Sequence, residues 1–148
     1  MISILYVDSW PPLMDIICQF LERKGDVVVD TSISDDEALK KMEYIFFDAI
    51  VTDYNFAEPA SIDLLQRARE SGIITPFVFF TLEVNSRIEQ EASRFGRVAF
   101  VPKLPKSGFT FETLERTIRT IISEPNLGNI YRQKGTVTRC DAYHGPGS

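Results

Sequence analysis

Ala49-Ile50-Val51-Thr52-Asp53-Tyr54-Asn55 is an apolar, β-branched run that stops on an acid, and Ile4-Leu5-Tyr6-Val7-Asp8 near the start of the chain has the same form. Both runs are apolar at nearly every position rather than at alternate ones. A strand of that kind is buried on both faces, so the sheet that holds it is parallel and carries helices on each side. Comparable runs recur at wide spacing: Ile2 to Val7, Val27 to Val29, Ala49 to Thr52, Phe77 to Thr81, and Val98 to Val101.

The stretches between them have helical period. Leu13, Ile16, Ile17, Phe20 and Leu21 form one apolar stripe after Pro11-Pro12, and Gly25 closes it. Ser34-Asp35-Asp36-Glu37 is a capping-box pattern before Ala38, Leu39 and Met42. A third helix is expected from about Ser61 to the stop at Gly72, with Ile62, Leu65 and Ala68 on one face. A polar, weakly periodic fourth spans Glu83 to Phe95, and a fifth carries Phe111, Leu114, Ile118, Ile121 and Ile122 before Pro125 ends it. Five strands alternating with five helices define an α/β, doubly wound parallel sheet. Its right-handed crossovers bring every strand's carboxyl end to one edge, where ligands of such folds bind.

The chain has 148 residues, 44% of them hydrophobic and 25% charged, which suits one soluble globular domain and not a disordered or fibrous chain. The domain is placed at residues 1–124. Residues 125–148, with four of the eight glycines, read as a flexible C-terminal tail or linker. Charge divides the same way: the first 124 residues hold 13 basic and 20 acidic side chains, a net of −7, against +2 in the tail. An acidic body argues against direct nucleic-acid binding. No apolar run approaches a membrane span and Met1-Ile2-Ser3 lacks the basic start of a signal peptide, so a cytoplasmic location is expected. Cys18 and Cys140 have no metal-ligand spacing and read as reduced thiols.

At the strand ends stand Asp8, Asp53, Thr81 and, just past the fifth strand, Lys103. Each alone has an ordinary explanation: an acid or a threonine caps the helix that follows, and a loop lysine is solvated. Together they form one polar rim. Two carboxylates placed side by side repel, and the arrangement becomes favourable when a divalent cation and an ammonium neutralise them.

This set resembles the receiver domain of two-component response regulators, over residues 1 to 124. The matching pieces are Ile4-Leu5-Tyr6-Val7-Asp8, Ala49 to Asn55, Val78-Phe79-Phe80-Thr81, and Ala99-Phe100-Val101-Pro102-Lys103. The resemblance implies a flavodoxin-like sheet of strand order 2-1-3-4-5. It implies that Asp53 accepts a phosphoryl group from a histidine kinase or phosphotransfer protein, with Mg²⁺ held by Asp8, Asp53 and the backbone carbonyl of Asn55. Lys103 and Thr81 would then contact the transferred group, and Thr81 with Phe100 would form the switch. The output surface would be the face of the fourth helix, fifth strand and fifth helix, open to an effector domain, a partner protein or a second copy of the chain.

Several positions depart from the family pattern. Ser9 stands where a second acid is usual; a serine oxygen is a poor ligand for a hard cation and would serve by hydrogen-bonding a metal-held water. Leu82 replaces a small residue beside Thr81, Leu104-Pro105 replaces Pro directly after the lysine, and Phe56-Ala57-Glu58-Pro59 replaces the usual loop after the acceptor. Trp10 either shields the crevice or packs beside Pro11. His144, the single histidine, lies in the tail and argues against histidine-based chemistry. The chain is expected not to be an enzyme: an aspartyl-phosphate hydrolase would want a second acid at the position of Trp10, and a flavin carrier a hydroxyl- and glycine-rich loop in place of Ser9-Trp10-Pro11-Pro12. Ser9 also raises the alternative of a degenerate receiver, an interaction module that no longer responds to phosphate.

Overall fold

A computed structural model of the chain describes residues 1–54, 61–82, 85–103, 110–123, 130–131 and 138–139. The order is β1 (Ile2–Val7), α1 (Pro11–Glu22), β2 (Val27–Ser32), α2 (Asp35–Tyr44), β3 (Ala49–Thr52), α3 (Asp63–Glu70), β4 (Phe77–Thr81), α4 (Ser86–Ser93), β5 (Val98–Pro102) and α5 (Thr110–Ser123). All five strands pair in parallel in the order β2-β1-β3-β4-β5. This is the doubly wound sheet that the apolar runs require.

Alternation along each strand sends successive side chains to opposite faces. Ile4, Tyr6, Val51, Val78, Phe80 and Val101 face one way and pack with Ile17 and Leu21 of α1 and Leu114 and Ile118 of α5. Leu5, Val7, Ile50, Phe77, Phe79 and Phe100 face the other and meet Leu39 of α2, Leu65 of α3 and Ile88 of α4. Both faces of the central strands are therefore core. Each fully buried leucine or phenylalanine contributes about 1.5–3 kcal/mol by leaving water.

Local chemistry sets the helix ends. Ser34 Oγ accepts from the Glu37 amide at 3.1 Å, while the Glu37 carboxylate turns back to the amide of Ile33 at 2.9 Å, one residue before the expected partner. Gly72 takes the left-handed conformation (φ 85°) that lets the chain turn out of α3, and its amide closes on the Arg69 carbonyl at 3.0 Å.

Several boundaries differ from the sequence reading, β5 by one residue at Pro102. β2 continues through Asp30-Thr31-Ser32, because an edge strand tolerates polar residues and Lys41 of α2 ties it down, with Nζ 3.0 Å from Asp30 Oδ1 and 2.6 Å from the Thr31 carbonyl. α3 begins at Asp63 rather than Ser61. α4 spans Ser86–Ser93 instead of Glu83 to Phe95, since the side chain of Asn85 caps it by accepting from the Ile88 amide at 3.1 Å. Thr81 is thereby excluded as that helix's cap.

At the amino-terminal edge, Arg69 of α3 donates to the carbonyls of Ile73, Thr75, Phe95 and Gly96, pinning two loops to one side chain. Burial, with the nearby Arg97, pulls its guanidinium down to about 10. Arg97 itself donates to the Ile74 carbonyl at 3.1 Å. In the tail, β6 (Ile130–Tyr131) pairs antiparallel with β7 (Thr138–Arg139), and β6 lies close to β5. None of the described helices is long and apolar enough to cross a membrane. Cys18 is a half-buried free thiol that burial pushes up to about 11.

Candidate functional site: an acidic crevice at the carboxyl edge

Strand termini place each of the polar residues. β1 ends in Asp8, whose amide continues the ladder by donating to the Ser32 carbonyl at 3.1 Å. β3 ends one residue before Asp53. Past β5, the amide of Lys103 donates to the Thr81 carbonyl at 2.7 Å, so the same ladder that joins β4 to β5 fixes the lysine's backbone. Asp8, Asp53 and Thr81 are each less than a tenth exposed.

The side chains converge. Lys103 Nζ stands 2.8 Å from Asp53 Oδ2 and 3.1 Å from Asp8 Oδ2, and donates to both. One ammonium bridges two carboxylates at a place where all three side chains are nearly out of water. The trio keeps a net charge of −1. Removing the lysine would take away the ammonium that bridges two facing carboxylates, which is costly in a partly desolvated crevice. The ammonium also lies 5.7 Å from the centre of the Phe80 ring, a further contact that holds it over the strand.

Asp8 is held by three donors. Besides Lys103, the Tyr6 hydroxyl donates to Oδ2 at 3.0 Å and the Ser9 amide donates to Oδ1 at 2.7 Å. Tyr6 is fully buried on β1, and burial, followed by the charge and hydrogen bond of Asp8, pushes its phenol far above the ordinary tyrosine value. The Thr81 hydroxyl is hydrogen-bonded to that of Tyr54, whose oxygen also takes the backbone N–H of Asn85 at the start of α4. Burial raises the Tyr54 phenol as well. Phe100 is buried on the same face, stacked on Phe79.

The structure thus brings Asp8, Asp53, Thr81 and Lys103 to one crevice, with Phe100 beside Phe79 beneath it. Ser9 is exposed, and it touches the site through its amide. Trp10 and Leu82 are 59% and 58% exposed, so the tryptophan is not packed away beside Pro11 and most of the leucine lies in solvent. Asn55, the loop Phe56 to Pro59, Leu104-Pro105, Cys140 and His144 lie outside the described residues. Two contacts escaped the sequence reading: Tyr6 on Asp8 and Tyr54 on Thr81. The first had a signal. Tyr6 is two positions before Asp8, and residues two apart on a strand share a face.

As a metal site, the crevice offers carboxylate and hydroxyl oxygens from the described residues. Among the described residues no three His, Cys, Asp or Glu side chains gather as a ligand cluster. Two carboxylates fit Mg²⁺, a hard cation that keeps several of its waters and takes few protein ligands, and do not fit a thiolate- or imidazole-seeking ion.

No protein-family model matches the chain. Solved structures do resemble it. A chemotaxis protein of Vibrio cholerae is 25% identical with a TM-score of 0.71, over 82% of this chain and 98% of that one. A two-component response regulator from Clostridium difficile is 21% identical with a TM-score of 0.71, over 85% and 99%. The response regulator TrrA of Thermotoga maritima, solved in complex with Mg²⁺ and BeF, is 21% identical with a TM-score of 0.67, over 82% and 99%. The class is a doubly wound α/β domain with an acidic crevice at its carboxyl edge. Within that class, the chain has the receiver-domain fold of response regulators.

Proposed function

We propose that this chain is a phosphoacceptor receiver domain, with Asp53 as the acceptor, and not an enzyme that turns over a substrate of its own. The observation that carries the reading is the Asp53–Lys103–Asp8 bridge: a nucleophilic carboxylate at the end of the central strand, flanked by a second acid and a fixed ammonium. In the transfer, an oxygen of Asp53 forms a bond to phosphorus as the donor's N–P bond breaks. The electron pair leaves with the donor imidazole, which takes a proton. Asp8, Asp53 and, by the resemblance, the Asn55 carbonyl would hold Mg²⁺, which would supply positive charge to offset that on the phosphoryl oxygens. Lys103 pairs with the acyl phosphate and Thr81 donates its hydroxyl to it, both placed where the new charge appears.

On this reading the donor is a histidine kinase or phosphotransfer protein in the cytoplasm. The output is a change on the α4–β5–α5 face, read by an effector domain, a partner protein or a second copy. The test is intact mass after incubation with acetyl or carbamoyl phosphate and Mg²⁺. A gain of one phosphate in the wild type, absent without Mg²⁺ and absent in Asp53→Asn, is expected. Labelling that survives in Asp53→Asn moves the acceptor elsewhere; a wild type that takes no phosphate from these donors or from a kinase is a degenerate receiver.

A further inference from the structure

The carboxylate of Asp8 has about four lone-pair directions, two on each oxygen. Oδ2 accepts from Tyr6 at 3.0 Å and from Lys103 at 3.1 Å, which fills it. Among the described residues Oδ1 accepts from the Ser9 amide alone, at 2.7 Å, and keeps one direction open toward them. The protein therefore decides which Asp8 oxygen remains available, and the phenol is the donor of the three that comes from a rigid, buried ring. Ser9 makes the choice matter, because no acid at position 9 shares the work.

We propose that Tyr6 is a positioning residue for Mg²⁺: its hydroxyl holds the Asp8 carboxylate so that Oδ2 stays on Lys103 and Oδ1 is left as the oxygen that meets the cation. The proposal rests on the function proposed above. Tyr6 does not touch the cation or the phosphoryl group. It acts from inside the core, where its ring packs in the cluster that includes Ile4, Ile17 and Val51 and its hydroxyl is sealed from water. A hydrogen bond made by a rigid, buried group is a stronger constraint than one from a surface side chain, since the ring cannot turn away. Without it, Lys103 and the Ser9 amide still hold Asp8, but the carboxylate loses its one constraint from the rigid core and the cation must supply more of the ordering at the moment of binding.

The test is a Mg²⁺ titration of the metal-free protein, followed by the fluorescence of Trp10, the chain's single tryptophan, two residues after Asp8. Tyr6→Phe keeps the ring and removes one oxygen. Its dissociation constant for Mg²⁺ is expected to rise about tenfold, the low end of what losing a ligand's hydrogen-bond partner costs. In an Asp8→Asn background the same Tyr6→Phe change should make no further difference, because the effect passes through Asp8. An unchanged constant in Tyr6→Phe, or an equal loss with and without Asp8, overturns the inference and leaves the function standing. A wild type that neither binds Mg²⁺ nor takes phosphate overturns both. A second measurement needs no variant: the Tyr6 hydroxyl proton should be slow to exchange, and its resonance should move as Mg²⁺ binds. A resonance that stays fixed through saturation counts against the role.

Discussion

The ring of Phe100 lies stacked on that of Phe79, with 5.3 Å between centroids and 14° between planes. The two residues are directly paired across β4 and β5, and Thr81 is two positions beyond Phe79 on the same face. Any inward movement of Thr81 must therefore be accommodated by the Phe79–Phe100 stack or by Tyr54, whose hydroxyl is bonded to that of Thr81 and whose ring is 5.9 Å from Phe79. Tyr54 in turn holds the Asn85 amide, at the cap of α4. One aromatic group thus joins the crevice to the first turn of the fourth helix.

That connection predicts where the proposed phosphorylation of Asp53 is felt. With beryllofluoride and Mg²⁺ as the mimic, amide and ring shifts should be larger at Thr81, Phe100 and α4 than along α1. Tyr54 and Asn85 should move with them. Shifts confined to the residues that adjoin Asp53 would show that the stack transmits nothing.

Much of this was legible in the chain itself. The strand runs, the helix stripes and the polar residues at the strand ends depend on spacing alone, and the fold places Asp8, Asp53, Thr81 and Lys103 together as their positions require. What spacing could not provide was direction. Whether Lys103 bridges both acids or pairs with one depends on side-chain reach, and Tyr6 reads as one more apolar strand residue until its hydroxyl is seen on Asp8. The boundary of α4 was misread for a related reason: only Ile88 and Ala92 are buried in that helix, so its period was too faint to show that Asn85, and not a residue near Glu83, begins it.

A second charge cluster, away from the crevice, ties α1 to α5. Arg23 grips Glu115 with two bonds, at 3.1 and 3.2 Å, and Arg119 reaches both Glu115 and Asp26. Burial pushes Glu115 up, but Arg23 and Arg119 outweigh it and hold the carboxyl below the ordinary glutamate range. A depressed folded value stabilises the fold fully above the unfolded value, about 4.3, and the contribution is lost as pH falls through the folded value. Glu115→Gln should therefore cost about 1 kcal/mol or less at pH 7, given the partly exposed arginines, and progressively less as pH falls below the unfolded value. Urea midpoints at pH 7, 5 and 3 measure this; a gap that does not close in acid would assign the loss to packing.

The tail lends itself to a similar measurement. β6 and β7 are two residues each, and an isolated two-stranded hairpin is marginal in water. Its closeness to β5 links the described part of the tail to the domain. Truncation after Glu124 should leave the melting temperature within a few degrees, as expected for a loss of about 1 kcal/mol or less. A drop well beyond that would make residues 130–139 part of the domain.

Ser9 is where the crevice is most open to change by one residue. Its amide holds Asp8 Oδ1 whatever the side chain, so Ser9→Asp keeps that hydrogen bond and adds a carboxylate at the mouth of the site, where Ser9 is exposed. In the presence of Mg²⁺ the extra charge should tighten binding, by about tenfold if it contributes about 1.4 kcal/mol. Without metal the sign reverses: a third carboxylate would stand beside the pair that Lys103 bridges, and the added repulsion should lower stability. The variant is thus expected to be less stable than the wild type in EDTA and to recover as Mg²⁺ is added, with melting temperatures in the two conditions moving in opposite directions relative to the wild type. Mg²⁺ binding that is already tight in the wild type and unaltered by Ser9→Asp would mean that another group supplies the ligand and that position 9 lies outside the metal's reach.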